Sequence, residues 1–223
     1  MISPSCTVLI PSYNGGDHLL GVLEDLRPLG LPVLVIDDGS TDGSGEEASR
    51  RGVRVLRLPQ RSGKGNAVRR GLDVLLPGHA PEWILFMDSD GQHLPSEVPL
   101  FLEAMDASSD FLIGSRIQNR RRFPKMNLVT NLVGSEILRW MSGHAVPDTQ
   151  CGFRALRASL LERMALRSSG FEIETEMLLK ALRLGARWRA IPVSAVYNGQ
   201  GSHFIPVADT FRICMAALEH VRG

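Results

Sequence analysis

Two aspartates bracket a single serine directly after the apolar run WILFM, in the stretch Asp88-Ser89-Asp90-Gly91-Gln92-His93. Carboxylates at i and i+2 just past a strand offer hard oxygen ligands to one divalent cation, and Gln92 adds an amide oxygen. Mg²⁺ and Mn²⁺ suit such ligands, and Mg²⁺ commonly keeps waters and substrate phosphates in its shell. A cation held there would bridge a diphosphate and stabilise the charge that develops on it as a leaving group. An isolated D-x-D triplet is weak evidence. Its place at a strand mouth gives it weight.

Other polar motifs also follow apolar runs: Pro11-Ser12-Tyr13-Asn14, Asp37-Asp38-Gly39-Ser40 and Gly114-Ser115-Arg116. In open α/β sheets ligands bind outside the carboxyl ends of the strands, so polar strand ends gathered on one edge make a site. The plainer reading is that loops are polar and carboxylates cap helices. Lys64, between Gly63 and Gly65, reads equally as a phosphate contact near a helix N-terminus or as a solvated cap. It is no Walker A lysine, because Leu58 and Gly65 stand where that loop needs glycine and Ser/Thr. Gly43-Ser44-Gly45-Glu46-Glu47-Ala48 matches the dinucleotide pattern but begins well after its strand, and no acidic residue ends the next one. Residues 116–125 concentrate Arg116, Arg120, Arg121, Arg122 and Lys125. Arginine forks suit phosphate oxygens, which favours phosphate recognition over a solvated loop. No aromatic platform accompanies them for RNA.

The elements that must position these groups are legible as short apolar runs alternating with amphipathic segments. Residues 7–11, 32–37, 53–58, 83–88 and 111–114 read as strands, and residues 17–27, 42–51, 64–76 and 96–105 as helices. Continuous apolar strands separated by helices imply an α/β fold with a mostly parallel sheet covered on both faces. Residues 126–141, 156–166, 172–184 and 207–221 also read as helices, with Gly185 stopping the third. Residues 188–197 read as a strand that Pro192 confines to an edge or a bulge. The expected count is one domain over residues 1–223, with a nucleotide-type half (1–116) and an acceptor-type half (117–223).

Composition narrows the function classes. The chain has 223 residues, 43% hydrophobic and 22% charged, too apolar for disorder and long enough to bury a core unaided. Lys+Arg 25 against Asp+Glu 24 leaves a formal charge of +1, which argues against a nucleic-acid partner. Cys6, Cys151 and Cys214 fit neither a disulfide framework nor a metal pattern and point to a reducing compartment. No apolar run approaches the roughly 20 residues of a membrane span. The expected location is the cytoplasm. The amphipathic residues 205–221 favour core packing over shallow docking on a membrane face.

In order along the chain stand VLIPSYNGG, VIDDGSTD, GKGNAVRRGL, MDSDGQHLP, GSR, DTQCGFRAL, FEIETEML and GQGSHF. Together they resemble the family 2 glycosyltransferases of GT-A fold, and within them the dolichyl/polyprenyl-phosphate mannose or glucose synthase branch. The resemblance spans nearly the whole chain. It implies a GT-A nucleotide-diphospho-sugar transferase fold, with an antiparallel strand and helices in the acceptor half. It further implies inverting transfer of a sugar from a GDP- or UDP-sugar, with Mg²⁺ or Mn²⁺ as cofactor and a lipid phosphate as the leading acceptor.

By the same resemblance Pro11, Tyr13 and Asp38 meet the base and ribose, Asp37 supports them, and Lys64 lies nearby. Asp88, Asp90 and Gln92 ligate the metal. Arg116 faces donor and acceptor phosphates, assisted from among Arg120, Arg121, Arg122 and Lys125. Asp148, Gln150, Arg154 and Glu176 fall in the acceptor segments, and His203 stands where such synthases often carry a lysine near phosphate. A lipid phosphate is already anionic near neutral pH and needs no general base. With a hydroxyl acceptor, Asp148 and Glu176 become the base candidates. Their plain reading is an ion pair with Arg154, or a charge on a helix face. The branch often carries C-terminal membrane helices, which this chain lacks, so the acceptor is less defined than the donor. A hydroxyl acceptor and a non-catalytic sugar-nucleotide-binding protein remain as alternatives, and the oligomeric state is open.

Overall fold

The computed structural model describes residues 5–78, 80–116 and 146–194. Among them a seven-stranded sheet runs in the order β3-β2-β1-β4-β6-β5-β7. Its strands are β1 (Cys6–Ser12), β2 (Val33–Asp37), β3 (Arg54–Arg57), β4 (Trp83–Phe86), β5 (Phe111–Ser115), β6 (Arg154–Arg157) and β7 (Trp188–Pro192). The helices are α1 (Gly16–Leu26), α2 (Ser44–Arg50), α3 (Lys64–Leu75), α4 (Val98–Ala104), the single turn α5 (Ala158–Leu161) and α6 (Ile173–Arg183). None is long and apolar enough to cross a membrane.

The apolar strand runs are continuous because both faces of the sheet are covered. Along β1, Leu9 joins one core with α3 and α6, while Val8 and Ile10 join the other with α1 and α4. Burying each such side chain contributes roughly 1.5–3 kcal/mol. Helix α3 lies close to the sheet because Gly71 has no side chain. A Cβ there would stand 2.5 Å from Leu9 Cδ1 and 3.1 Å from Ile36 Cγ1. Helix α6 ends in a Schellman motif, as Gly185 in its sequence context suggests: Gly185 N–H bonds the Leu182 carbonyl and Ala186 N–H that of Ala181. Pro192 sits at the sheet edge on β7, where a missing N–H is tolerated.

One expected element is corrected. The segment read as a helix over residues 156–166 is instead the end of β6 followed by the one-turn helix α5. β6 is antiparallel to both neighbours, pairing Phe86 with Arg154 and Trp83 with Arg157 on β4, and Ile113 with Arg154 on β5. Arg154-Ala155-Leu156-Arg157 holds only two apolar residues between arginines, so it shows neither alternation nor an apolar run. Its strand character comes from partners on both sides. Two successive antiparallel pairings also leave β5 running in the same direction as β4, which brings Arg116 to the sheet edge that carries Asp88. The expected helices over 126–141 and 207–221 lie outside the described residues.

Candidate active site

The ends of β1 and β2 are tied into one shelf. Asp38 N–H bonds the Ser12 carbonyl at 2.8 Å, and Asn14 N–H donates to Ser40 Oγ at 2.9 Å. Asn14, at φ +50°, returns an acceptor to Thr41 N–H at 2.9 Å. Asp37 is buried and closes its own turn, accepting from Ser40 N–H at 2.8 Å. Arg57 reaches the same turn, with Nε 3.7 Å from Asp37 Oδ2 and Nη2 donating to the Ser40 carbonyl at 3.0 Å. Asp38 accepts from Ser62 N–H (2.8 Å), Ser62 Oγ (2.6 Å) and Gly63 N–H (2.8 Å), so it fixes the loop that leads into α3. The Arg61 guanidinium from that loop lies 4.4 Å from the centre of the Tyr13 ring. Nothing in the motif spacing singled out Arg61.

Two N–H groups at the start of α3 are taken up within the chain. Gly65 and Asn66 donate their N–H groups to the Ser169 carbonyl at 2.9 and 3.3 Å. The close approach depends on Gly63, at φ +99°, and Gly65, where added Cβ atoms would collide with the carbonyl oxygens of Ser169 and Ser168. Lys64 instead turns its ammonium to the mouth of β4, 2.5 Å from Asp88 Oδ1 and 2.6 Å from Glu174 Oε1. Burial works against its charge, but the two carboxylates outweigh burial and raise its pKa. Pro11, Lys64, Asp88, Gly152, Arg154 and Glu174 line one small crevice there, joining residues from both halves of the sequence.

At that mouth burial works to raise the Asp88 pKa, yet the Lys64 ammonium outweighs it and holds the carboxyl at about 2. Desolvation and then the Asp88 charge raise Asp90, whose Oδ1 accepts from Gln92 N–H at 2.9 Å. Two carboxylates that disfavour each other's charge form a donor set that a divalent cation relieves. Among the described residues no group of three or more His, Cys, Asp or Glu side chains is arranged to hold a metal ion. A pair is what a cation shared with substrate oxygens and water needs, so Asp88 and Asp90 fit the Mg²⁺ or Mn²⁺ expected here. Gly152 permits the packing, since a Cβ there would stand 2.7 Å from Asp88 Oδ2.

His93 holds the motif from beneath. Its Nδ1 accepts the Asp88 N–H at 3.2 Å, and its ring stacks on Phe153 at 5.1 Å. Burial pushes its pKa down from 6.5 to about 4, so the ring is neutral near pH 7 and carries its proton on Nε2. The unfolded chain binds this proton more readily. The stabilisation is therefore complete above about pH 6.5 and disappears as pH falls towards 4, amounting to about 3 kcal/mol. Urea unfolding at pH 7 and pH 4.5 should show most of that loss in the parent chain and much less in His93→Gln. Equal losses in both would remove His93 from this role.

On the acceptor side, Asp148 is wholly buried and pairs with Arg116, not with Arg154. Arg116 Nε and Nη2 donate to its two oxygens at 2.8 and 2.9 Å, and the Arg116 N–H adds a third bond at 3.1 Å. Arg154 and Glu176, expected to touch the acceptor, are both 0% exposed, and of the two only Arg154 reaches the wall of the small crevice. The Arg154 guanidinium donates to the carbonyls of Thr149, Cys151 and Glu174, holding the 149–151 loop against α6. Glu176 accepts from Arg167 and Ser168 N–H and from Lys180 Nζ, fixing the loop before α6. Gln150 is half-buried and its Nε2 has no hydrogen-bond partner among the described residues. Arg120, Arg121, Arg122, Lys125 and His203 lie outside them.

The acid that does face the site from FEIETEML is Glu174. Residues 174 and 176 stand about 200° apart around a helix, so one of them turns to the crevice and the other away. The three acids at 172, 174 and 176 gave a signal, but the choice among them depends on how α6 docks. Cys6 and Cys151 are buried free thiols. Burial pushes both above the ordinary thiol range, as expected of core residues.

The family model described as glycosyl transferase family 2 matches residues 7–165. The glycosyltransferase AglJ of Haloferax volcanii is 32% identical over 207 residues, covering 91% of this chain and 67% of that protein. The undecaprenyl-phosphate mannosyltransferase of Micrococcus luteus is 33% identical, covering 86% and 84%. The polyprenol monophosphomannose synthase of Mycolicibacterium smegmatis is 30% identical, covering 84% and 76%. Among solved structures, glucosyl-3-phosphoglycerate synthase from Mycobacterium tuberculosis, in complex with Mn²⁺, UDP and phosphoglyceric acid, superposes with a TM-score of 0.78. It is 20% identical and covers 98% of this chain and 78% of that one, a likeness of GT-A fold.

Proposed function

Because the chain belongs to glycosyl transferase family 2 and is a glycosyltransferase, we propose that it moves a hexose from a GDP- or UDP-sugar to a polyprenyl or dolichyl phosphate, with inversion. The observation that carries the acceptor class is the fate of the two base candidates. A hydroxyl acceptor needs a carboxylate to take its proton. Asp148 is buried against Arg116, and Glu176 is buried against Arg167, Ser168 and Lys180. Glu174, the acid that faces the crevice, is engaged by Lys64, and a phosphate oxygen arrives already ionised and needs none of the three. Relatives named for undecaprenyl-phosphate and polyprenol mannosyl transfer support the same reading.

In this reading Pro11, Tyr13, Asp37 and Asp38 shape the hollow for base and ribose, with Lys64 beside it. Asp88, Asp90 and Gln92 would hold Mg²⁺ or Mn²⁺, which when bound stabilises the charge that grows on the departing diphosphate. Arg116, oriented by Asp148, would turn its guanidinium to phosphate oxygens. Gln150, Arg122, Lys125 and His203 are the proposed acceptor contacts, while Arg154 and Glu176 act through the loops they hold. A lipid-phosphate oxygen then forms the new bond at the anomeric carbon as the bond to the diphosphate breaks, and no proton is removed. Such an acceptor implies work at a membrane surface, proposed to be a peripheral contact on the cytoplasmic face.

The test supplies radiolabelled GDP- and UDP-sugars with Mn²⁺ and either a polyprenyl phosphate or the matching polyprenol. Label is expected in the phosphate lipid alone. Transfer to the alcohol at a comparable rate would overturn the phosphate-acceptor reading.

A further inference from the structure

The Lys64 ammonium bonds the carboxylate that the proposed function assigns to a divalent cation, 2.5 Å from Asp88 Oδ1. An ammonium there occupies an oxygen lone pair and repels an incoming cation. Its second partner shows where it can go. Glu174 holds it through Oε1 at 2.6 Å, while Glu174 Oε2 is buried without a hydrogen-bond partner among the described residues. Glu174 is 8% exposed. A buried carboxylate oxygen left without a donor is costly, and here it belongs to a group already touching an ammonium with three donors. The post is fixed from behind, because Arg154 Nη1 donates to the Glu174 carbonyl at 2.6 Å. Above the ammonium, the Phe171 ring lies with its centre 5.5 Å from Nζ.

We infer that Glu174 is a positioning residue that receives Lys64 when a divalent cation takes Asp88: the ammonium leaves Asp88 Oδ1 and pairs with both oxygens of Glu174. The inference rests on Asp88 and Asp90 being cation ligands. Glutamine at 174 removes the charge that retains the lysine, and Lys64 then stays on Asp88 and competes with the cation.

The test is Mn²⁺ binding by the full chain without donor, followed by the electron paramagnetic resonance signal of the free ion. Glu174→Gln is expected to weaken Mn²⁺ binding at least about tenfold. Lys64→Met should bind Mn²⁺ at least as tightly as the parent, and the double variant within about threefold of Lys64→Met, since no ammonium remains to be placed. Parent-like binding by Glu174→Gln would overturn the inference, as would a double variant as weak as Glu174→Gln alone. If circular dichroism shows Glu174→Gln unfolded, Lys64→Met decides: weaker binding than the parent overturns the inference and tighter binding supports it. A parent that fails to bind Mn²⁺, or an Asp90→Asn variant that binds it undiminished, removes the cation reading itself and the inference with it.

Discussion

Asp90→Ala is expected to lower sugar transfer at least ~10²–10³-fold, the range seen when one preorganised group that stabilises transition-state charge is removed. The expectation separates chemistry from folding. Asp90 is exposed, and the bond it accepts from the Gln92 N–H lies within its own turn. Removing that bond should change unfolding free energy by about 1 kcal/mol or less. Asp88 makes a poorer probe because it also anchors Lys64. The assay compares turnover with Mn²⁺ and with a chelator. The parent should lose activity on chelation, while the variant should be nearly inactive in both and melt near the parent temperature. A variant that turns over like the parent, indifferent to chelator, would remove the carboxylate pair from the reaction.

Arg154→Ala should have the largest effect on stability. The side chain is wholly buried and satisfies carbonyls of Thr149, Cys151 and Glu174 that come from two separate segments. Each carbonyl left without a donor costs about 1–3 kcal/mol, and truncating a buried charged group typically costs about 3–5 kcal/mol. Against a domain stability of about 5–15 kcal/mol, that is a large fraction. Urea unfolding is expected to show a loss of about 3 kcal/mol or more. Arg154→Lys should recover part of it, because an ammonium keeps the charge and some donors but lacks the planar fork. A loss under about 1 kcal/mol for Arg154→Ala would mean that water replaces the guanidinium without penalty.

Arg154 also shows how a motif can mark a residue without showing what its side chain touches. DTQCGFRAL drew attention to it as part of an acceptor segment, whereas the sheet placed it on β6 with its side chain inside. An isolated arginine in sequence carries no sign of whether its fork will meet a ligand or the backbone. The Asp148 pairing fails to show for a similar reason. Arg154 is six residues away and Arg116 thirty-two, yet the nearer arginine is turned to carbonyls and the farther one is delivered by the end of β5.

Residue types along the chain set the alternation of apolar strands and helices, and with it the edge on which Pro11, Asp37, Asp38 and Asp88 gather, whereas Arg116 joins them only through the two antiparallel pairings of β6. The alternation is local: residue type sets each strand, and parallel chain direction carries each strand's last residues to the same side. Tertiary structure alone decided that β6 is a strand, that Glu174 rather than Glu176 meets Lys64, and that Ser169 closes the start of α3. Each of these depends on a partner far along the chain. Hydrogen bonding and charge pairing act through distance in space, which no run of neighbouring residues encodes.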